Sequence, residues 1–264
     1  MDERLYSRPL DVHRISDYPE VQRMITYLFD EMKSSGLIGK SPRKKILKHL
    51  KVVVLDLYVA YLHDPLVYLG YSRRRDDYSG ASRLGQLYLG YRPMIRVVDG
   101  LLDLGYLEHH KGFQDLVSGR SFLSRMRATP ELINLIDNYS IAPSMIALED
   151  DQLIILRDAD KEDIPYGATD ETSAMEATLQ SYNAFLSKYE LALSLSTEKI
   201  RDFLQSRRIP PIDYTRNRLF NEDFTSGGRF YRGWWQNIPR ELRQHITIGE
   251  SPVQNWRGSR NWRT

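Results

Sequence analysis

The sequence predicts an α+β fold, mainly α with short β-hairpins, arranged as more than one module along 264 residues. Three observations predict it. Apolar residues recur at helical spacing in three segments, near residues 19–32, 45–63 and 93–104. After the third segment, two short runs are separated by a polar tip, as a hairpin requires. Beyond Asn138 the charge pattern changes. Glu149 to Glu171 holds nine acids against Arg157 and Lys161, a balance of −7, whereas Lys199 to Thr264 holds thirteen Lys/Arg against six acids, a balance of +7. With 41% apolar residues the chain has enough material for a buried core.

The elements follow in order. Val21, Met24, Ile25, Leu28, Phe29 and Met32 line one face of a first helix, with Asp17 as its cap and Gly36 as its stop. Lys40, Arg43, Lys44, Lys45, Lys48 and Lys51 read as the solvated first turns of a second helix, which Asp64-Pro65 ends. Gly36 to Ser41 mimics the end of a phosphate-binding loop. Ser34 stands where that motif needs a glycine, and a helix precedes it where a strand should. A short strand is expected over 66–71 and a short helix over 81–89. A longer helix over 93–104 has Pro93 in its first turn and Met94, Ile95, Val97, Val98, Leu101 and Leu102 facing inward. Gly105 stops it. Tyr106 to Phe113 enters a turn, Ser121 to Thr129 returns, and Pro130 opens another helix. Farther on, a strand is expected over 152–156, and a helix capped by Thr169 or Asp170 runs through Lys188. Arg207 to Pro211 reads as a basic hinge. The expected modules are an N-terminal helical arm over 1–42, a module over 43–140, a mixed α/β module over 141–250 and an irregular tail over 251–264.

Several chemistries are excluded by composition. No cysteine occurs, so disulfides, thiol nucleophiles and thiolate zinc sites are ruled out, and a reducing, cytoplasmic setting fits. No apolar run reaches the ~18 residues of a membrane span, and no membrane partner is expected. The six histidines are scattered apart from His109-His110, and neighbours on a strand point to opposite faces. Glu162, Asp163, Asp170 and Glu171 read as a solvated acidic loop. No metal, cofactor or complete catalytic constellation is expected, so the chain alone reads as a non-enzyme.

The order helix, helix, then a Leu-Gly-Tyr-Leu strand with a basic hairpin, resembles a winged-helix (winged helix-turn-helix) module. That resemblance implies a helix in the major groove and a hairpin against the backbone. Carried over by position, Arg92 and Arg96 face the groove together with Asp99 and Asp103, and the hairpin offers His109, His110, Lys111, Arg120, Arg125 and Arg127. Between Tyr71 and Pro130 there are ten Lys/Arg and six Asp/Glu, a balance of +4. The two aspartates weigh against the reading, because carboxylates repel phosphates. Arg73-Arg74-Arg75, offset by Asp76 and Asp77, reads as a solvated loop.

Near the C-terminus, Gly227 to Pro239 reads Gly-Gly-Arg-Phe-Tyr-Arg-Gly-Trp-Trp-Gln-Asn-Ile-Pro. Its Ser226-Gly227-Gly228-Arg229 start and Gln236-Asn237-Ile238-Pro239 end resemble the segment before the first metal-binding aspartate in single-subunit (family A-like) polymerases. The resemblance implies a truncated polymerase-like helical module. It also implies nucleic-acid backbone contact or base stacking by Arg229, Tyr231, Arg232, Trp234, Trp235, Gln236 and Asn237. No aspartate occurs after Asp223, and two-metal phosphoryl transfer needs such carboxylates.

Together these resemblances imply a nucleic-acid-binding protein of phage, plasmid or mobile-element type. It is expected to act in replication initiation or its control, with duplex DNA or a primer–template as partner. The alternatives are a truncated or split nucleotidyltransferase lacking its catalytic palm, and a winged-helix protein that docks a partner protein.

Overall fold

Nine consecutive buried residues, Val52 to Ala60, make one long helix the centre of the first part of the chain. A helix apolar on all sides has to be surrounded, and this one is. The computed structural model describes residues 6–39, 42–80, 84, 88–114, 121–148, 153–157, 163–164, 166–186, 188–189, 191–207, 217–221, 227–231, 235, 238–249 and 251–253. The chain divides into two units. The first is Met1–Asp151 with Gln205–Pro211, and the second is Gln152–Leu204 with Ile212–Thr264. Mixed α/β architecture runs through both.

The first unit begins with β1 (Ser7–Pro9), β2 (Arg14–Ile15), α1 (Pro19–Ser34) and the central α2 (Arg43–His63). It continues with β3 (Tyr68–Tyr71), a short 3-10 turn at Asp76–Tyr78, and α3 (Tyr91–Asp103). β4 (Leu107–His110), β5 (Phe113–Gln114), β6 (Ser121–Phe122) and β7 (Ser124–Ala128) form the hairpin region. α4 (Pro130–Asn138) and β8 (Ala147–Leu148) complete it. Residues 81–83 and 85–87, most of the expected short helix, lie outside the described residues.

A four-stranded sheet has the order β1-β3-β7-β4. β3 and β4 each pair antiparallel with β7, and β1 joins β3 in parallel. Leu69, Met126 and Leu107 occupy its buried face, and α2 packs against β3 and β7. α1 and α3 also pack on α2. The N-terminal segment expected as an arm is therefore integral to this unit: α1 buries Val21, Met24, Ile25, Leu28, Phe29 and Met32, and β1 is a strand of the sheet.

Local signals explain the helix ends. Tyr18 stands at the N-cap of α1 in place of Asp17, and no side chain caps the helix. At its other end Gly36 adopts φ +73°, and Leu37 N–H reaches back to Met32 C=O at 2.9 Å. Gly105 repeats this device after α3, with φ +79° and Tyr106 N–H on Leu101 C=O at 2.9 Å. Asp64 ends α2 by accepting Leu66 N–H on Oδ1 at 3.0 Å, an Asx turn.

One buried ion pair ties the N-terminus to α2. The Asp56 carboxylate is fully buried and accepts from Arg8 Nη1 at 2.8 Å and Nη2 at 2.7 Å. It also accepts from Asp11 N–H at 2.7 Å and Arg14 Nε at 3.3 Å. A second tie fixes the start of α3: His49 is fully buried, its Nδ1 faces Lys45 C=O at 2.6 Å, and Gly90 N–H donates to Nε2 at 2.9 Å. Because Nε2 accepts, the ring is neutral with its proton on Nδ1. Burial pushes its pKa below the usual histidine value.

The second unit carries β9 (Ile154–Arg157), β10 (Asp163–Ile164), α5 (Asp170–Leu186), β11 (Leu191–Leu193) and, up to Leu204, α6 (Thr197–Ser206). β12 (Asn217–Asn221), β13 (Gly227–Tyr231), α7 (Arg240–Arg243), β14 (Ile246–Ile248) and β15 (Ser251–Pro252) follow. Its larger sheet has the order β10-β9-β12-β13, with β9 and β12 parallel. α5 packs on β9, where Ile154, Leu156 and Leu179 form a small core with Leu153, Tyr166 and Met175. A second sheet has the order β11-β14-β15. This unit is mixed α/β and more sheet-rich than the helical module that the polymerase resemblance implies. β15 falls in the segment expected as an irregular tail, and residues 254–264 lie outside the described residues.

Asp56→Ala is expected to lower the unfolding free energy by about 3–5 kcal/mol, since it leaves buried guanidinium charge unpaired. Urea denaturation of the full chain measures it, and a loss under about 1 kcal/mol, the size of an exposed pair, contradicts the assigned role.

Candidate nucleic-acid interface

The inward face of α3 fixes its outward one. Met94, Val97, Val98 and Leu101 are buried, and Gly100 is packed so closely on α1 that an added Cβ would collide with the Met32 methyl. Arg92, Arg96, Asp99 and Asp103 lie along the opposite side, the first two and the last of them exposed. Two expected inward residues are corrected: Ile95 is half-buried and Leu102 is exposed, because the helix turns them to the flank of the core.

Asp99 does not stand as a bare carboxylate. Arg73, just past β3, grips it with a two-pronged ion pair, Nη1 to Oδ1 at 2.6 Å and Nη2 to Oδ2 at 2.9 Å. The loop expected to be merely solvated thus supplies a counter-charge to α3. The same Nη1 donates to the Tyr71 hydroxyl at 2.8 Å, and Tyr71 lies 2.9 Å from His109 Nε2. With its oxygen already accepting from Arg73, Tyr71 donates its one proton to an unprotonated His109 Nε2. Burial first, and then the Arg73 charge, hold the His109 pKa below the usual value. Burial pushes the Tyr71 hydroxyl up to about 12, against the opposing pull of Arg73. The chain Asp99–Arg73–Tyr71–His109 joins α3, the end of β3 and β4.

The hairpin residues divide. Lys111 is exposed just beyond β4. Arg127 donates to Glu108 Oε2 at 2.6 Å and lies over the Tyr68 ring, its guanidinium carbon 4.5 Å from the centroid. His110 Nε2 meets the Tyr68 hydroxyl at 3.3 Å, on the face opposite His109. Arg125 is a correction: it is only 7% exposed and donates from Nε to Ser7 Oγ at 3.0 Å, so it is a packing residue and does not present to a duplex. Arg120 lies outside the described residues.

In the second unit Arg229 pairs with Leu219 and Tyr231 with Asn217, on β13 at the edge of its sheet. Trp235 is half-buried, while Arg232, Trp234, Gln236 and Asn237 lie outside the described residues. The glycine-rich start of this block therefore forms a hairpin strand with β12.

Sequence reasoning missed Arg73, whose pairing with Asp99 spans 26 residues, and an aromatic pair on the hairpin, Phe113 and Phe122, stacked at 4.8 Å. The signal for the second was present, since both residues flank the polar tip at matching positions. Among the described residues no cluster of three metal-ligating side chains occurs, and no helix is long and apolar enough to cross a membrane. No protein-family model, curated protein or solved structure matches this chain.

NMR titration of His109 is expected to give a midpoint below 6.5, the ordinary histidine value, and Arg73→Ala is expected to raise it by removing the adjacent positive charge. A wild-type midpoint at or above 6.5 contradicts the neutral-imidazole assignment.

Proposed function

We propose that the first unit is a winged-helix-like module that binds duplex DNA, with α3 entering the major groove and the β4–β7 hairpin against the backbone. The observation that carries the reading is the outward pair Arg92 and Arg96, one turn apart on a helix whose other side is buried, directly followed by that hairpin. The strand order β3-β7-β4 after α2 supports it, because this is the sheet a winged helix uses. Forked guanidinium groups suit both guanine edges and phosphates. Arg73 supplies a counter-charge to Asp99, one of the two carboxylates that the sequence raised against this helix. Lys111 extends the positive edge, and Arg127 contributes less, being engaged by Glu108.

The second unit is read as a polymerase-like module that contacts a primer–template backbone through Arg229 without catalysing transfer. The central position of Arg229 in edge strand β13 supports that role. On this reading the protein acts in replication initiation or its control in a phage, plasmid or other mobile element.

Fluorescence anisotropy with blunt duplex and with a primer–template, repeated over a range of salt, tests both parts. Arg92→Ala with Arg96→Ala is expected to weaken duplex binding at least ~10-fold and to reduce the salt slope by about two contacts. An unchanged slope removes α3 from the interface. Arg229→Ala is expected to weaken the primer–template several-fold more than blunt duplex; equal losses contradict the polymerase-like role.

A further inference from the structure

Beside the hairpin lies a cleft of about 340 Å³. One wall is Ser72, Arg73, Arg74 and Asp77; the other runs from Gly112 to Gln114 and from Ser121 to Ser124. The hairpin wall is shaped by a glycine. A Cβ at Gly112 would sit 2.5 Å from Phe122 C=O and 2.9 Å from Ser124 N, so only glycine lets the strands cross this closely. Gly112 N–H donates to Ser124 Oγ at 2.9 Å and holds that crossing. The result is an apolar edge raised toward solvent: Phe113 is 42% and Leu123 is 49% exposed, and Phe113 stacks on Phe122.

We propose that this cleft binds one unpaired nucleotide of a strand adjoining the duplex, its base stacked on Phe113. The inference rests on the duplex-binding reading of α3 and deepens it. Four observations converge. The cleft volume falls at the lower end of the range for small-ligand sites. An exposed ring, already braced from behind by a second ring, is a preorganised stacking surface, and base stacking tolerates any sequence because every base has a flat face. Arg74 and Lys111 are exposed beside it and carry the charge a phosphate requires. Arg73 is shared between the cleft wall and the ion pair with Asp99 on α3, so the cleft adjoins the helix that carries Arg92 and Arg96.

The test uses the full chain and three DNAs: a blunt duplex, the same duplex with a short single-stranded overhang, and the overhang alone, with 2-aminopurine as the first unpaired base. The overhang duplex is expected to bind roughly ten-fold more tightly than the blunt one, with quenching of the 2-aminopurine on stacking. Phe113→Ala is expected to abolish both the gain and the quenching while costing the blunt duplex far less, and an unchanged circular-dichroism spectrum reports that the module remains folded. Phe113→Trp is expected to retain them. Equal affinity for blunt and overhang duplexes, no quenching, or equal loss on all DNAs with Phe113→Ala overturns the proposal. The two readings separate cleanly. Quenched binding of the overhang strand with no duplex binding keeps the cleft and overturns the groove assignment of α3; duplex binding that depends on Arg92 and Arg96, with no gain from the overhang and no quenching, does the reverse.

Discussion

The carboxylate of Asp56 is the point on which the first unit depends. It sits in the middle of the most deeply buried helix, where an ionised group is costly unless its lone pairs are filled. They are filled by Arg8, Arg14 and the backbone of Asp11, all from the first fourteen residues. That arrangement holds β1 in place, and β1 in turn extends the sheet along β3. The end of β3 launches Arg73, which fixes the charge on α3. A single buried pair thus conditions, through strand pairing, the electrostatics of a helix far along the sequence.

The outward surface is shaped more by cancellation than by accumulated positive charge. Arg73 meets Asp99, and Arg127 meets Glu108. Arg92, Arg96 and Lys111 are exposed on the helix and hairpin. A net balance of +4 taken from sequence counts Arg125 equally with Lys111, yet Arg125 is buried and spends its donors on Ser7 and the Leu123 carbonyl. Local pairing, and not the total, decides what a polyanion meets.

Much of the first unit was legible because helical periodicity and stop signals are local. α1, α2 and α3 begin and end within two residues of the expected positions, α4 begins at Pro130 as expected, and Gly36 and Gly105 stop their helices by the left-handed geometry that glycine tolerates. β1 was not legible: Ser7-Arg8-Pro9 has no strand pattern, and only its pairing with Tyr68 to Gly70 makes it one. Asp56 carried a readable hint, a lone carboxylate in an apolar helix, but nothing local names Arg8 as its partner across 48 residues. In the candidate site, outward Arg92 and Arg96 follow from the period of α3, whereas the Arg73–Asp99 pair and the hairpin cleft arise from tertiary approach. α6, with one buried leucine at Leu204, offered too short an apolar stripe to stand out.

The parallel addition of β1 has a further consequence for how the molecule behaves in crowded solution. Without it, β3 would offer its open edge to any extended chain nearby. With it, the outer edge is three residues long and finishes in Pro9, which has no N–H to donate. At the far side β4 spans four residues, with Glu108, His109 and His110 among them. Short margins ended by proline or studded with polar side chains make poor templates for strand exchange, so this sheet is guarded against self-association by the same N-terminal residues that Asp56 anchors.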